Sequence, residues 1–214
     1  MNLNVVEFVF SARIFEEAIL MEVINERLLY PSYEIIGGKK SMAPAANPTH
    51  GGVIGRLYMF IGSYLDENGK GYVFADNTDV YFPDGTLFKP DLSVILESNS
   101  AIINWFKGIY GVPDMVVEVL SKSTKKKDLT IKKDIYEAQG VGEYWVVDPY
   151  MKAVSVYLLS DGKYFLDDEY ILFDAEDLDL LTEEEKAEVK HEVPFKTLEG
   201  LTIPLKQIFK WGYR

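Results

Sequence analysis

Two carboxylates in the chain stand where the surrounding pattern calls for apolar side chains. In the predicted strand PDMVVEVLS, the alternation of faces places Glu118 in the middle of a β-branched run that looks buried. Asp91 opens the neighbouring predicted strand, KPDLSVI, where a strand emerges into a cleft. A buried carboxylate without a partner costs several kcal/mol, so Glu118 needs a cation, a metal ion or a proton.

If these two strands pair, Asp91 and Glu118 can converge on one hard divalent ion. Mg²⁺ usually takes only one or two protein carboxylates and keeps its waters for a substrate phosphate, so two acids suffice. Either residue taken alone also fits a plainer role, as half of a buried ion pair or as a strand-end cap. The pair is therefore a candidate metal site, and a structural role for either acid stays open as the alternative.

A lysine downstream of Glu118 can complete such a site. Asp128, Lys132 and Tyr136 recur at intervals of four residues, so they share one face of a predicted helix. A lysine on that face can point back at the carboxylates, where its charge would stabilise a phosphate transition state. Periodicity alone favours the plainer alternative, in which Lys132 belongs to an exposed lysine cluster.

The net charge of −12 is unfavourable for a nucleic-acid partner, so its distribution matters more than its sum. Segment 161–192 holds thirteen acids and three lysines, whereas segment 122–133 holds six lysines and one acid. Screening limits surface fields to about 10 Å, so the basic segment can bind phosphate despite the distant acids. The alternative is a solvated helix face. The lysines predicted to contact a phosphate backbone are Lys122, Lys125, Lys126, Lys127 and Lys133.

Composition excludes several other classes of site and protein. The chain has no cysteine, which excludes a disulfide scaffold, a thiolate zinc site and a cysteine nucleophile. Its two histidines, His50 and His191, argue against a histidine-rich metal site, and we expect His50 to cap or pack at a helix start. No phosphate-binding glycine motif occurs, so no organic cofactor is expected. Without a long apolar run or a basic leader, a cytoplasmic protein is predicted, with no membrane contact.

The elements that must position these groups follow from local patterns. Residues 11–28 have a weak amphipathic pattern that predicts a helix, and Gly37–Gly38 predicts a hairpin or a tight turn into a strand. A second helix is predicted from about His50 to Leu65, with Asn47 or Thr49 as its cap. The strands predicted downstream are GYVFAD, TDVYF, KPDLSVIL, PDMVVEVLS and EYWVVD.

The second half of the chain is predicted to be rich in strands. A helix from about 124 to 138 precedes EYWVVD, and a hairpin turning at Asp161–Gly162 follows it. A short helix is predicted at 180–190, capped by Thr182. Residues 96–112 look irregular, and their aromatic side chains should cover a sheet edge or meet a partner subunit. This order of elements predicts an α/β sandwich with a mixed sheet.

The run PDMVVEVLSKSTKKKDLTIKKDIYEAQGVGEYWVVDP resembles the Uma-two family of restriction endonucleases, within the PD-(D/E)XK nuclease superfamily. The shared pattern includes Pro90-Asp91, the step from Pro113 to Glu118 and the spacing Asp-x3-Lys-x3-Tyr. The resemblance covers roughly residues 30–160 and implies a restriction endonuclease-like αβββαβ core, with a mixed sheet flanked by helices. Residues 161–214 would then form a β-rich, acidic C-terminal extension of a single domain, 1–214.

The resemblance also implies roles for particular residues. Asp91 and Glu118 would be metal ligands, Lys132 the catalytic lysine, and Glu34 a further acidic residue near the metal. In the parent superfamily the lysine lies two residues after the acid on the same strand, where this chain has Leu120. The lysine must therefore have moved to the helix, with Lys133 as the fallback for Lys132.

The function implied is hydrolysis of DNA phosphodiester bonds by a Mg²⁺-dependent endonuclease, with Mn²⁺ as a substitute. A homodimer is expected, with the aromatic loop 103–110 as its candidate surface. One alternative is a non-catalytic nucleic-acid-binding or interaction protein that retains the fold, which the acidic charge and Leu120 favour. Another is a carboxylate site that binds Ca²⁺ without any nucleic acid.

Overall fold

The computed structural model describes residues 33–42, 47–75, 78–121 and 128–210. The helix predicted at 11–28 and the four lysines predicted between 122 and 127 to contact phosphate lie outside these ranges. No helix within the described ranges is long and apolar enough to cross a membrane. The cytoplasmic location and the single-domain organisation expected from the sequence stay predictions.

The first half of the described chain contains one long helix and most of the strands. Helix α1 begins after Asn47, whose side-chain oxygen accepts a hydrogen bond from the backbone N–H of His50. Of the two predicted caps, Asn47 is therefore the correct one, and Thr49 lies within the helix. The hairpin predicted at Gly37–Gly38 is confirmed, since β1 and β2 pair antiparallel on either side of it, and both glycines have positive φ. The elements are β1 Tyr33–Ile36, β2 Lys39–Met42, α1 Pro48–Asn68, β3 Gly71–Ala75, β4 Val80–Tyr81, β5 Leu87–Phe88, β6 Leu92–Leu96, a 3-10 helix Glu97–Ile102, β7 Ile103–Asn104, β8 Gly108–Tyr110 and β9 Met115–Val119.

The second half begins with a π-helical turn, Asp128–Lys132, that continues into a short α-helix. The hairpin predicted at Asp161–Gly162 is confirmed, because both residues have positive φ and join two long strands. Thr182 caps a short helix, also as predicted. The elements are α2 Lys133–Gln139, β10 Glu143–Asp148, β11 Ala153–Ser160, β12 Lys163–Ile171, α3 Ala175–Asp179, α4 Glu183–Glu188, β13 Glu192–Pro194, β14 Thr202–Pro204 and α5 Leu205–Ile208.

The main sheet has six strands in the order β12-β11-β10-β9-β6-β3. Strands β9 and β10 are parallel and are joined by the segment that contains α2, while the other neighbours pair antiparallel. A second six-stranded sheet, of mostly short strands, has the order β2-β1-β5-β4-β8-β7. The mixed α/β architecture predicted from the sequence is confirmed.

Strand β9 divides the core into two hydrophobic clusters, one on each face of the main sheet. Met115, Val117 and Val119 pack with α1 and with the C-terminal segment. Val116 and Leu120 pack with aromatic residues of α2 and β10 instead. The alternation read from the sequence is therefore correct, and it places Glu118 on the face that α2 covers.

The stretch 96–112, predicted to be irregular, contains the 3-10 helix and the β7–β8 hairpin. The ring of Trp105 lies 5.2 Å from that of Tyr72 and 6.0 Å from that of Phe74, both on strand β3 at the edge of the main sheet. These contacts bear out the expected covering of a sheet edge. Trp105 and Phe106 nevertheless stay 65% and 98% exposed.

Candidate active site

The two carboxylates of the predicted pair come from adjacent strands. In the antiparallel pairing of β6 with β9, Leu92 lies opposite Val117, so the preceding residue, Asp91, falls at the level of Glu118. The backbone N–H of Val119 donates a hydrogen bond of 2.6 Å to Asp91 Oδ2, which fixes the acid against β9. Both acids are buried. The strand pairing on which the metal-site hypothesis depends is therefore present.

The Glu118 carboxylate accepts hydrogen bonds from residues on the face of the main sheet that α2 covers. Its Oε1 accepts hydrogen bonds from Lys132 Nζ at 2.8 Å and from the Tyr136 hydroxyl at 2.7 Å. Lys132 is the last residue of the π-helical turn, and Tyr136 lies one turn later in α2. The predicted common face of these two residues thus meets Glu118. Single π-helical turns are frequent at functional sites.

Burial and the neighbouring Glu118 raise the pKa of Tyr136 well above its usual range. The hydroxyl therefore keeps its proton at any physiological pH and acts as a donor to the carboxylate. Tyr136 is fully buried, and its ring contacts those of Phe88 and Tyr144. Its position is consequently fixed by packing as well as by the hydrogen bond.

The fourth predicted residue, Glu34, reaches the site from the hairpin β1–β2. Its Oε1 lies 3.0 Å from Lys132 Nζ, so one ammonium group bridges Glu34 and Glu118. The side chains of Lys132 and Glu34 are only 7% and 4% exposed. The structure therefore brings Lys132 to two of the three acids named from the sequence.

Lys133, the fallback lysine, has different surroundings. Its Nζ lies 3.9 Å from the centre of the Tyr157 ring, and it forms no ion pair with the acids of the site in the described part of the chain. Lys132 is thus the lysine whose ammonium contacts Glu118. As a candidate phosphate contact, Lys133 stays a prediction.

His50 is a member of the site that the sequence did not suggest. It lies in the first turn of α1, as predicted, but its Nε2 also lies 3.1 Å from Asp91 Oδ2. The two residues are 41 positions apart, and neither the helix pattern nor the strand pattern relates them. Only the packing of α1 across the start of β6 brings the imidazole to the acid.

The residues fit a Mg²⁺ ion of the kind that uses few protein ligands. Among the described residues, no group of three acidic or histidine side chains is arranged to hold a metal without help. Two carboxylates on adjacent strands, completed by water and a substrate phosphate, are nevertheless a common Mg²⁺ arrangement. The donors are oxygens, which suit a hard cation. Asp91 and Glu118 are the residues that would hold it.

The fold is that of the restriction endonuclease-like α/β proteins, and a solved structure supports it. It is described as a "putative nuclease belonging to DUF820" from Anabaena variabilis ATCC 29413. The chains are 20% identical with a TM-score of 0.65, over 86% of this chain and 92% of that one. At this identity the likeness shows the fold, and it confirms the restriction endonuclease-like architecture predicted from the sequence.

The chain belongs to the Uma2 family, described as "Putative restriction endonuclease", whose family model matches residues 26–189. The family predicted from the motif is therefore confirmed. The match extends well past residue 160, so it includes the β11–β12 hairpin and part of the acidic segment. No curated protein matches the chain.

Proposed function

We propose that this protein is a Mg²⁺-dependent endonuclease that hydrolyses DNA phosphodiester bonds, with Mn²⁺ as a substitute. Membership of a restriction endonuclease family supports the reaction class. The observation that carries the proposal is the pairing of Asp91 with Glu118 on adjacent strands, with Lys132 Nζ 2.8 Å from Glu118. Acids that hold a cation and a lysine that offers positive charge suit phosphodiester hydrolysis, because both stabilise the negative charge that develops on the phosphate.

Each side chain of the proposed site has a separate task. A bound Mg²⁺ would supply Lewis acidity toward the scissile phosphate and a nucleophile at neutral pH. Asp91 and Glu118 would hold the ion, while Tyr136 keeps Glu118 oriented. Lys132 places its ammonium where negative charge develops on the phosphate oxygens. Glu34 anchors that ammonium through a second ion pair.

Affinity for DNA is proposed to come from the basic segment rather than from the whole surface. The proposed phosphate contacts are Lys122, Lys125, Lys126, Lys127 and Lys133. Lysine–phosphate contacts give affinity without sequence preference and weaken steeply as salt rises. Cleavage and binding are therefore best measured at low salt.

Supercoiled plasmid cleavage tests the proposal. Wild-type protein should nick plasmid with Mg²⁺ or Mn²⁺ and stop when a chelator is added, whereas Asp91→Ala and Glu118→Ala should be inactive. Glu169→Ala, which removes an exposed acid of β12, is the matched control and should cleave like wild type. Wild-type protein that binds DNA without cutting it would favour the non-catalytic binding protein. Protein that binds Ca²⁺ but no DNA would favour the structural carboxylate site.

We also propose that the protein acts as a homodimer through the β7–β8 hairpin. Trp105 and Phe106 project from this hairpin as large exposed aromatic side chains, and such patches on soluble proteins commonly mark interfaces. In a symmetric dimer each interface contains the patch of both copies, so a single substitution acts twice.

Phe106→Ser should raise the dimer dissociation constant at least about tenfold, since burying one phenylalanine contributes about 1.5–3 kcal/mol. Sedimentation velocity over a concentration series measures this constant directly. Phe165→Ser removes a half-exposed phenylalanine of β12 and is the control. A monomeric wild type, or an unchanged dimer in the Phe106 variant, would contradict the proposal.

A further inference from the structure

His50 and Asp91 meet in a nearly enclosed part of the site. The imidazole Nε2 lies 3.1 Å from Asp91 Oδ2, and the two side chains are 10% and 12% exposed. A hydrogen bond between a ring N–H and a carboxylate is directional, and it is stronger where water is scarce. The contact therefore constrains the direction in which the Asp91 carboxylate faces.

The two oxygens of Asp91 are used unequally. Oδ2 accepts both protein donors, the Val119 backbone N–H at 2.6 Å and the His50 imidazole. From the residues that the structure describes, Oδ1 accepts no hydrogen bond. A carboxylate offers about four lone-pair positions, so fixing one oxygen leaves the other available to a cation.

The imidazole itself is held in place by α1. The backbone N–H of His50 donates to Asn47 Oδ1 at 3.0 Å, which ties the residue to the first turn of the helix. Val53 and Ile54, on the next turn, are buried in the core that α1 shares with the main sheet. His50 is thus presented to Asp91 from a packed helix end rather than from a loop.

Glu118 is arranged in the same way. Its Oε1 accepts hydrogen bonds from Lys132 and from Tyr136. Each acid of the pair therefore has one oxygen that accepts hydrogen bonds from two protein donors. Outer partners of this kind hold metal-binding carboxylates in their binding orientation and add to metal affinity.

We propose that His50 is a positioning residue for Asp91. By donating from Nε2 to Oδ2, it holds Oδ1 toward the cation, and it does so without contacting the cation itself. This inference rests on the proposed function, because it assumes that Asp91 binds a metal. It assigns a role to the contact that α1 makes with Asp91.

Two substitutions at the same position separate this role from others. The amide nitrogen of glutamine falls where the imidazole has Nε2, so His50→Gln retains a donor to Asp91. The amide nitrogen of asparagine falls where the ring has Nδ1, too short to reach Asp91. Removing an outer partner of a metal ligand typically weakens metal binding about 10- to 100-fold. His50→Asn should therefore weaken the binding of Mn²⁺ by about 10- to 100-fold. His50→Gln should weaken it by no more than about threefold.

Mn²⁺ binding to the full chain without DNA, followed by electron paramagnetic resonance, measures this effect independently of cleavage. Thermal melting of the metal-free proteins tests whether each variant is folded. If His50→Asn does not fold, His50→Leu takes its place as the variant without a donor. Asp91→Ala is the reference for loss of the site. If Asp91→Ala binds Mn²⁺ like wild type, the metal site of the proposed function is wrong.

If Asp91→Ala loses Mn²⁺ but His50→Asn or His50→Leu binds like wild type, the positioning role alone is overturned. Equal loss in His50→Gln and His50→Asn also overturns it, because the imidazole would then act as a ligand. Retention in the glutamine variant together with loss in the asparagine or leucine variant is the expected result.

Discussion

Replacing Lys132 with methionine should lower the rate of plasmid cleavage at saturating Mg²⁺ and DNA by about 10²- to 10³-fold. The substitution retains a long side chain but removes the only ammonium that contacts Glu118 within the described residues. Losing one preorganised group that stabilises transition-state charge typically lowers kcat by this factor. Initial rates of nicking, measured over a series of DNA concentrations, separate kcat from KM.

Lys133→Met is the matched control, since the neighbouring ammonium lies over the Tyr157 ring. Lys133 is a proposed phosphate contact, so its loss should raise KM severalfold and leave kcat unchanged. If kcat instead falls in the Lys133 variant and not in the Lys132 variant, the assignment of the catalytic lysine is wrong.

Stability must be measured beside activity for the Lys132 variant. Glu34 and Glu118 are 3% and 2% exposed, and removing one partner of a buried ion pair costs about 3–5 kcal/mol. Urea unfolding without metal should show a loss of this size. Adding Glu34→Gln to Lys132→Met should recover part of the stability and none of the cleavage rate. A recovery of cleavage would mean that the variant was inactive because it was unfolded.

Much of this site could be predicted from the sequence because strand alternation and helix periodicity depend only on residues that are close together in the chain. The alternation of apolar residues in β9 identified Glu118 as a buried acid, and the strand start at Asp91 supplied its neighbour. Periodicity placed Lys132 and Tyr136 on one helix face, and both contact Glu118. Periodicity alone did not show whether this helix face is buried at the site or exposed to solvent. The resemblance to the family motif favoured the position at the site.

The remaining contacts join parts of the chain that no local pattern relates. His50 meets Asp91 across 41 residues because of how α1 packs on the sheet. Glu34 reaches Lys132 from a hairpin in the second sheet. The β7–β8 hairpin was missed for a different reason, since strands of two and three residues are too short to show alternation. Such features depend on tertiary packing rather than on propensity.

Glu143 makes tertiary contacts that the pattern of its own strand does not reveal. It begins the predicted strand EYWVVD, yet only 1% of its surface is exposed. Its carboxylate accepts hydrogen bonds from Trp145 Nε1 at 2.7 Å and from the backbone N–H groups of Lys196 and Thr197 at 3.1 Å and 2.6 Å. Nearby, the rings of Trp145 and Phe195 have centroids 4.2 Å apart. This buried acid therefore fastens the C-terminal segment to the main sheet.

Glu143→Ala should reduce the free energy of unfolding by about 2–4 kcal/mol, because one buried and two part-buried N–H donors lose their acceptor, and a fully buried donor left unpaired costs about 1–3 kcal/mol. Urea unfolding followed by circular dichroism measures the loss, and faster hydrogen exchange at the Lys196 and Thr197 amides locates it. Glu192→Ala, on the exposed side of β13, should stay within about 0.5 kcal/mol of wild type. If Glu143→Ala is as stable as the control, the C-terminal segment is held by its apolar contacts alone. Such a result would assign its attachment to the packing of Phe195 and its neighbours in the core.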